Sequence, residues 1–387
     1  MARKVKKTGE VLQVGEEGYV AVSPPPRDPK LRAFEKLVKG LEDWRPARDV
    51  LRAVRAVPTI FPSFDRATRV GGYPLDRFCV VHGPTSHGKS SFALGLGKSF
   101  LARGHMFAFV DAEMTTPIEW CEGMIGAELA SSPAFVALRP KTYEETVDSV
   151  RSLVKKLAKA RDDGELPEGT SCLVVVDSLR KLVPQNIWEK LKKSSEEVGV
   201  DGMGGRAGQI KAAMNAAWLD ELTPLLYHTG TGLLAIERER EDGRDRRGNV
   251  ITKMGGGQSV EFESSMTVRV TRSYVYEGSG EDSSVVGEKH ELMIRKSKVA
   301  GLDEKVSWGC FHTSNGALTP AGFDRARDVL ELAREFGMVE GSGWLSWKKR
   351  GTRWQGVNKA VAALTADAAQ LAEMEAQVRA GFATEKA

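Results

Sequence analysis

The chain has 387 residues, 41% of them hydrophobic, and a formal net charge of +4. That apolar share supports a sizeable core, in one large domain or two to three smaller ones, and excludes a chain without a packed interior. The charge is mildly basic and on its own is weak evidence for a nucleic-acid partner.

No apolar run reaches the ~18 residues of a membrane span, and Met1–Lys7 is basic without the apolar stretch of a signal peptide. The four cysteines, Cys79, Cys121, Cys172 and Cys310, show no CxxC spacing. This argues against a zinc site and for reduced thiols. The expectation is a cytoplasmic protein with no membrane partner.

Residues 1–27 read as loosely structured and end in the stiff run Ser23-Pro24-Pro25-Pro26. Asp28–Trp44 carries Leu31, Phe34, Leu37, Val38 and Leu41 on one helical face, and a second short helix is expected over Ala47–Val57. Residues 1–56 are therefore expected to form an arm with helices that pack on this chain or on a neighbouring copy. From Phe78 the pattern changes. Phe78–His82, Met106–Val110, Cys172–Val176 and Gly232–Ile236 are short apolar runs bounded by turn or polar residues, the mark of buried strands. Helical stretches alternate with them: Ser90–Leu101, Thr142–Ala160 with its Thr142/Glu145 capping box, and Ala207–Leu226. The alternation predicts an α/β core over residues 57–315, with a mostly parallel sheet covered on both faces. Met266–Val270 and Glu291–Arg295 extend the sheet. Beyond Ser314-Asn315-Gly316 the signal is helical and basic-aromatic. A small α+β domain is expected over 316–387, with Thr319 capping a helix through Phe336 and a last helix over Ala366–Arg379.

The chemistry is concentrated at the first strand. Gly83-Pro84-Thr85-Ser86-His87-Gly88-Lys89-Ser90 fits G-x-x-x-x-G-K-[ST] between an apolar strand and a helix. Loop amides and the helix N-terminus favour phosphate oxygens. Lys89 is placed to reach the β- and γ-phosphates and Ser90 to bind Mg²⁺, so ATP and Mg²⁺ are the expected ligands. His87 reads as filler. Asp177 ends the apolar run Leu173–Val176 and is expected to hold the Mg²⁺ shell beside Ser90. Glu113, in Asp111-Ala112-Glu113, is either the group that polarises the attacking water or a cap for the following turn.

These residues resemble the RecA family of DNA recombinases. The resemblance runs from about Val57 to Arg379. It takes in Gly71-Gly72-Tyr73-Pro74, the phosphate loop, Asp111-Ala112-Glu113 and Val175-Val176-Asp177-Ser178. It continues through Met203-Gly204, Gly255-Gly256-Gly257, Lys296-Ser297-Lys298-Val299-Ala300 and the segment Leu332–Ala360. The resemblance implies that Glu113 is the catalytic glutamate and that Trp120 lies near the ring that stacks on adenine, a core indole being the alternative. It implies that Lys296 and Lys298 reach the ATP of a neighbouring subunit, which would link nucleotide to assembly; solvated strand lysines are the alternative. The family usually has a glutamine that senses the γ-phosphate at the end of the fourth strand; this chain has Arg238 there, which either binds at the γ-phosphate in its place or faces DNA.

Two segments resemble that family's DNA loops, Glu197–Gly208 and Arg238–Gly257. Both are expected to be floppy without a ligand. The DNA-binding expectation rests on Met203, Gly204, Arg206 and Lys211 in and after the first. In the second it rests on Arg240, Arg244, Arg246, Arg247, Gly256 and Gly257. Guanidinium forks suit phosphate oxygens, and Met203 reads as a wedge between bases. In the C-terminal part, Lys348, Lys349, Arg350 and Arg353 are interleaved with Trp344, Trp347 and Trp354. That pattern suits capture of duplex DNA, unless the tryptophans are simply that domain's core.

The resulting expectation is an ATP-dependent recombinase. It would form a helical filament on single-stranded DNA, pair it with homologous duplex DNA, and work with loader or single-strand-binding proteins. A hexameric helicase or remodelling ATPase of the same fold, and a non-catalytic coat for single-stranded DNA, are the rivals.

Overall fold

The computed structural model describes residues 11–15, 18–22, 53–193, 204–244, 246–248, 250–278, 282–301 and 307–384, with isolated positions between 33 and 51. The chain divides into two units, residues 1–53 and 54–387. In the first, β1 (Val11–Gly15) and β2 (Gly18–Val22) pair antiparallel. The helix expected over Asp28–Trp44 lies almost wholly outside the described residues. The end of the one expected over Ala47–Val57 is not helical: β3 (Ala56–Val57) pairs with β4 (Tyr73–Pro74). Val57 precedes Pro58, and a residue before proline is pushed toward extended backbone.

The second unit is built on a ten-stranded sheet. Its strands are β5 (Phe78–Gly83), β6 (Met106–Asp111), β7 (Phe135–Leu138), β8 (Cys172–Asp177) and β9 (Thr231–Arg244), then β10 (Val250–Met254), β11 (Met266–Glu277), β12 (Ser284–Ser297), β13 (Trp308–Ser314) and β14 (Gly322–Phe323). The order across it is β14-β13-β12-β11-β5-β9-β8-β6-β7, with β10 on β9. From β11 to β7 the neighbours run parallel. β12, β13, β14 and β10 pair antiparallel.

Strand periodicity explains why the four runs read as strands are apolar throughout. Cys79, Val81, Phe107, Phe109, Leu173 and Val175 face one core, and Phe78, Val80, Ala108, Val110, Val174 and Val176 face another. The first core is closed by α1 (Pro62–Ala67), α2 (Lys89–Leu101) and α3 (Ile118–Ile125), followed by the short α4 (Ala127–Ala130). The second is closed by α5 (Tyr143–Asp162) and, after α6 (Gln185–Lys193), by α7 (Gly204–Thr229). The Thr142 hydroxyl accepts the Glu145 amide at 3.2 Å, the cap expected for α5.

Both segments expected as loops are corrected. α7 begins at Gly204, so Gly204, Arg206 and Gly208 are helical rather than part of a loop. Met203 and the rest of 194–203 lie outside the described residues. The segment Arg238–Gly257 is for the most part a β-hairpin rather than a loop. β9 runs on to Arg244 and pairs with β10, Glu239 opposite Met254 and Arg240 opposite Lys253. Gly255–Gly257 then turn into α8 (Gln258–Glu263).

The C-terminal part comprises α9 (Arg325–Glu335), β15 (Val339–Glu340), β16 (Trp344–Trp347), β17 (Thr352–Gln355), α10 (Gly356–Ala366) and α11 (Ala368–Thr384). Residues from Ala326 to Val378 gather about a core of their own, with Trp347 fully buried and Trp354 nearly so. The cap of α9 is Asp324, whose carboxylate accepts the Arg327 amide at 3.2 Å. Thr319, expected there, lies five residues upstream of the cap, before β14. Among the described residues no helix is long and apolar enough to cross a membrane.

Candidate functional site

Because β5, β9, β8 and β6 are parallel neighbours, their carboxyl ends meet on one edge, where ligands bind in open α/β sheets. Register fixes which residues arrive there: Gly83 opposite Arg238, and Asp111 opposite Asp177. The backbone then ties Glu113 in, since the Ala112 and Glu113 amides donate to the Asp177 carbonyl at 2.7 and 3.1 Å. A cavity of about 300 Å³ opens at this edge. Thr85–Ser91, Glu113, Trp120, Asp177, Ser178, Ile236, Arg238 and Glu288 line it.

The loop from Gly83 to Ser90 has the shape of an anion cradle. Gly88 has φ +88°, and a Cβ there would fall 2.3 Å from His290 Nδ1, so only glycine fits. Ser86 is held at φ +61°, a strained backbone of the kind that persists where the surroundings impose it. Lys89 is buried, and its ammonium donates to the carbonyls of Gly83 and Pro84 at 3.0 and 2.6 Å. Burial lowers its pKa, with Asp177 opposing the shift. Ser90 Oγ donates to Asp177 Oδ2 at 2.5 Å. Burial pushes Asp177 up to about 6, and the Glu113 and Asp111 carboxylates add to the rise while the Ser90 hydroxyl opposes it. A hydroxyl and a carboxylate at this separation are hard oxygen donors of the kind Mg²⁺ takes, so the residues present fit that ion. Glu113 Oε1 accepts from Ser178 Oγ at 3.1 Å and from Arg238 at 2.9 Å. Arg238, at the family's glutamine position, thus lies inside the cavity beside Glu113. Trp120 lines the cavity and also packs on the first core, so the two readings of it are compatible.

Sequence reasoning missed three residues here. Ser178 positions Glu113. Glu288 lines the cavity and pairs with Arg272 at 2.8 Å. His290 lies beneath the loop: its Nδ1 is 3.0 Å from the His87 carbonyl and its ring stacks on Phe311 at 4.4 Å. A carbonyl only accepts, so the proton sits on Nδ1, and burial holds this histidine neutral by lowering it to about 4. The only sequence signal for Ser178 was its place after Asp177. His290 is 203 positions from His87 and gave none.

The lysine pair is elsewhere. Lys296 and Lys298 both donate to the Phe262 carbonyl, at 2.9 and 2.6 Å. Lys296 also bonds the Glu261 carbonyl. Both ammonium groups sit near the face of the exposed Phe262 ring. Neither lines the cavity of its own chain.

The residues assigned to DNA are spread over three surfaces. At the first, Lys211 is partly withdrawn, donating to the Arg180 carbonyl at 2.9 Å. Gly204 and Arg206 are in the first turn of the same helix, α7. On the β9–β10 hairpin, Arg240, Arg246 and Arg247 are exposed, and Arg244 closes the turn on the Gly248 carbonyl at 3.0 Å. Gly256 and Gly257, both at positive φ, form the entry to α8. In the C-terminal part the basic run is largely matched by acids. Lys348 meets Glu340 at 2.5 Å, Lys349 and Arg350 meet Glu373, and Arg353 lies over the exposed Trp344. Trp347 and Trp354 belong to the core there, as the alternative reading had it.

A family model described as the RecA N-terminal domain matches residues 47–312, more than half of the chain. The chain is 26% identical over 362 residues to Protein RecA of Acholeplasma laidlawii, covering 91% of this chain and 97% of the relative. It is 28% identical over 302 residues to Protein RecA of Syntrophus aciditrophicus, covering 78% and 77%. It is also 28% identical over 293 residues to Protein RecA 1 of Myxococcus xanthus, covering 75% and 74%. With a mostly parallel sheet, a phosphate loop after β5 and a small antiparallel C-terminal sheet, this chain belongs to the RecA family.

Proposed function

We propose that this protein is a DNA-dependent ATPase that assembles as a filament on single-stranded DNA and pairs that strand with a homologous duplex. The observation that carries the reading is the convergence of Lys89, Ser90, Asp177 and Glu113 on one cavity at the carboxyl ends of neighbouring strands. The loop amides and the N-terminus of α2 receive phosphate oxygens. The Lys89 ammonium exchanges its two carbonyl partners for the β- and γ-phosphates. Ser90 and Asp177 hold Mg²⁺, which when bound neutralises developing phosphate charge. Glu113 takes the proton of the attacking water, and Arg238 reaches from Glu113 toward the γ-phosphate. Trp120 offers a flat face to adenine. Lys296 and Lys298 serve the ATP of the adjacent copy.

DNA is engaged by the start of α7 with Met203, Gly204, Arg206 and Lys211, and by the β9–β10 hairpin. Arg240 stands directly opposite Lys253 there. Like charges facing each other across a strand pair are unfavourable, and a polyanion relieves them. The arginine–tryptophan surface of β16 and β17 is the candidate for duplex capture, and loader or single-strand-binding proteins complete the setting.

The test is ATP turnover and strand exchange by wild type and Glu113→Gln, with and without single-stranded DNA. DNA should stimulate turnover in the wild type. Glu113→Gln should lower kcat by roughly 10²–10⁴ while ATP still binds. Electron microscopy with a non-hydrolysable analogue should show open helices. Closed rings would favour a helicase, and turnover indifferent to both DNA and Glu113→Gln would end the proposal.

A further inference from the structure

A second group of chemically active side chains lies where β13 meets α9. Cys310 and His312 are two apart on the strand and so share a face. Glu331 comes from the helix. Cys310 Sγ, a ring nitrogen of His312 and a Glu331 oxygen all lie within 4.8 Å of one another. His312 Nε2 is 3.3 Å from Glu331 Oε1, and Cys310 Sγ is 3.9 Å from Oε2. The other ring nitrogen, Nδ1, is held by Asp328 Oδ1 at 2.6 Å. A carboxylate behind the imidazole is the usual support of a metal-ligating histidine, since it aims the free nitrogen and raises its basicity. Asp328 is buried, and its second oxygen has no hydrogen-bond partner. A cavity of about 230 Å³, lined by Cys310 and Glu331 among others, gives access from solvent and room for a water.

We propose that Cys310, His312 and Glu331 bind a zinc ion, with water as the fourth ligand, that fastens α9 to the central sheet. Sulfur, imidazole nitrogen and one carboxylate oxygen suit zinc and not the hard ions that prefer all-oxygen sites. Zinc bonds of about 2.0–2.3 Å in a tetrahedron put ligand atoms roughly 3.3–3.8 Å apart. The His312 Nε2–Glu331 Oε1 separation, 3.3 Å, is in that range, and the Cys310 sulfur, 3.9 Å from the other carboxylate oxygen, belongs to a set whose ligand atoms lie within 4.8 Å of one another. Lys289 donates to Glu331 Oε2 at 3.0 Å. With zinc on Oε1, this ammonium remains as an outer hydrogen bond to the ligating carboxylate. The cysteine spacing argued against a zinc site because the donors sit on a strand and on a helix some twenty residues later, with no CxxC pair to announce them.

The rival reading is a metal-free ion network of Lys289, Glu331, His312 and Asp328 tying the same two elements. Cobalt titration of the full-length, chelator-stripped protein separates them. The proposal expects one equivalent of Co²⁺ to give a thiolate-to-cobalt charge-transfer band that zinc abolishes. The band should persist in Cys121→Ser, vanish in Cys310→Ser, and need at least about tenfold more metal in His312→Asn or Glu331→Gln. Zinc should raise the Tm of wild type and of Cys121→Ser but not of Cys310→Ser. Should Cys310→Ser fail to fold, the His312→Asn and Glu331→Gln titrations decide. No band at one equivalent in the wild type, a band that survives in Cys310→Ser, or unchanged affinity in both His312→Asn and Glu331→Gln would overturn the site.

Discussion

Glu237 and Arg238 are consecutive on β9, so the strand sends them to opposite faces. Arg238 lines the candidate-site cavity and meets Glu113. Glu237 is buried against the turn that follows β10: a Cβ on Gly255 would lie 2.8 Å from Glu237 Oε2. Neither carboxylate oxygen makes a hydrogen bond of good geometry. Burial pushes Glu237 up from 4.5 to about 7, and the Arg238 amide, Lys211 and Arg180 offset only part of it. The unfolded chain therefore loses this proton near pH 4.5, and the folded chain keeps it to about pH 7. Across that interval stability falls as pH rises, and above it the full cost is present, roughly 3 kcal/mol. Glu237→Gln mimics the protonated acid. It should raise Tm relative to wild type at pH 8 and leave it nearly unchanged at pH 4.5. A difference independent of pH would mean that the carboxyl has the same pKa in the folded and unfolded chain, so that burial does not raise it.

At the scale of the element, the β9–β10 hairpin joins the edge that carries the candidate site to an arginine-rich tip, because Arg238 and Arg240 are on one continuous strand. Arg240 and Arg246 are exposed, and neither lines the candidate-site cavity. The double variant Arg240→Ala/Arg246→Ala should bind ATP normally without DNA. Its affinity for single-stranded DNA should depend less on salt, the slope of log K against log[salt] shrinking by about 0.7 for each phosphate the variant leaves unneutralised. An unchanged slope would remove the hairpin from the DNA surface. This hairpin also shows why part of the fold was hidden in the sequence. The strands under the phosphate loop were legible because two-sided burial writes them as apolar runs. The hairpin reads Glu-Arg-Glu-Arg-Glu-Asp from Glu237 to Asp242, with no apolar face to give it away. The glycines at 204, 205 and 208 likewise argue against helix by propensity, yet they open α7. In the candidate site, Lys89 and Ser90 were legible from the loop motif that opens α2, and Asp177 and Glu113 from carboxylates at or just past the ends of apolar strands. His290, Glu288 and the Cys310–His312–Glu331 group were not, since only the order of strands and the packing of α9 bring them to their partners.

For the whole molecule, the decisive question is whether one chain holds a complete catalytic site. Lys296 and Lys298 rest on the carbonyls of α8 and lie outside the candidate-site cavity of their own chain. If they act on a neighbour's ATP, the interface is heterologous, head to tail, and each site is built from the loop of one copy and the lysines of the next. Complementation then becomes a measurement of architecture. Lys89→Ala alone should be inactive, because its loop lacks the ammonium for the phosphates. Lys296→Ala/Lys298→Ala alone should be strongly impaired, because every loop then faces a partner without lysines. In an equal mixture, random assembly places an intact loop against an intact lysine pair at about a quarter of the interfaces, since only one of the four neighbour orders is productive. Turnover on single-stranded DNA should therefore recover to roughly that fraction of wild type, and should disappear on dilution below the concentration at which copies associate. A mixture no more active than the mean of its two components would place the lysines in service of their own chain. It would also leave nucleotide binding without a direct means of joining one copy to the next.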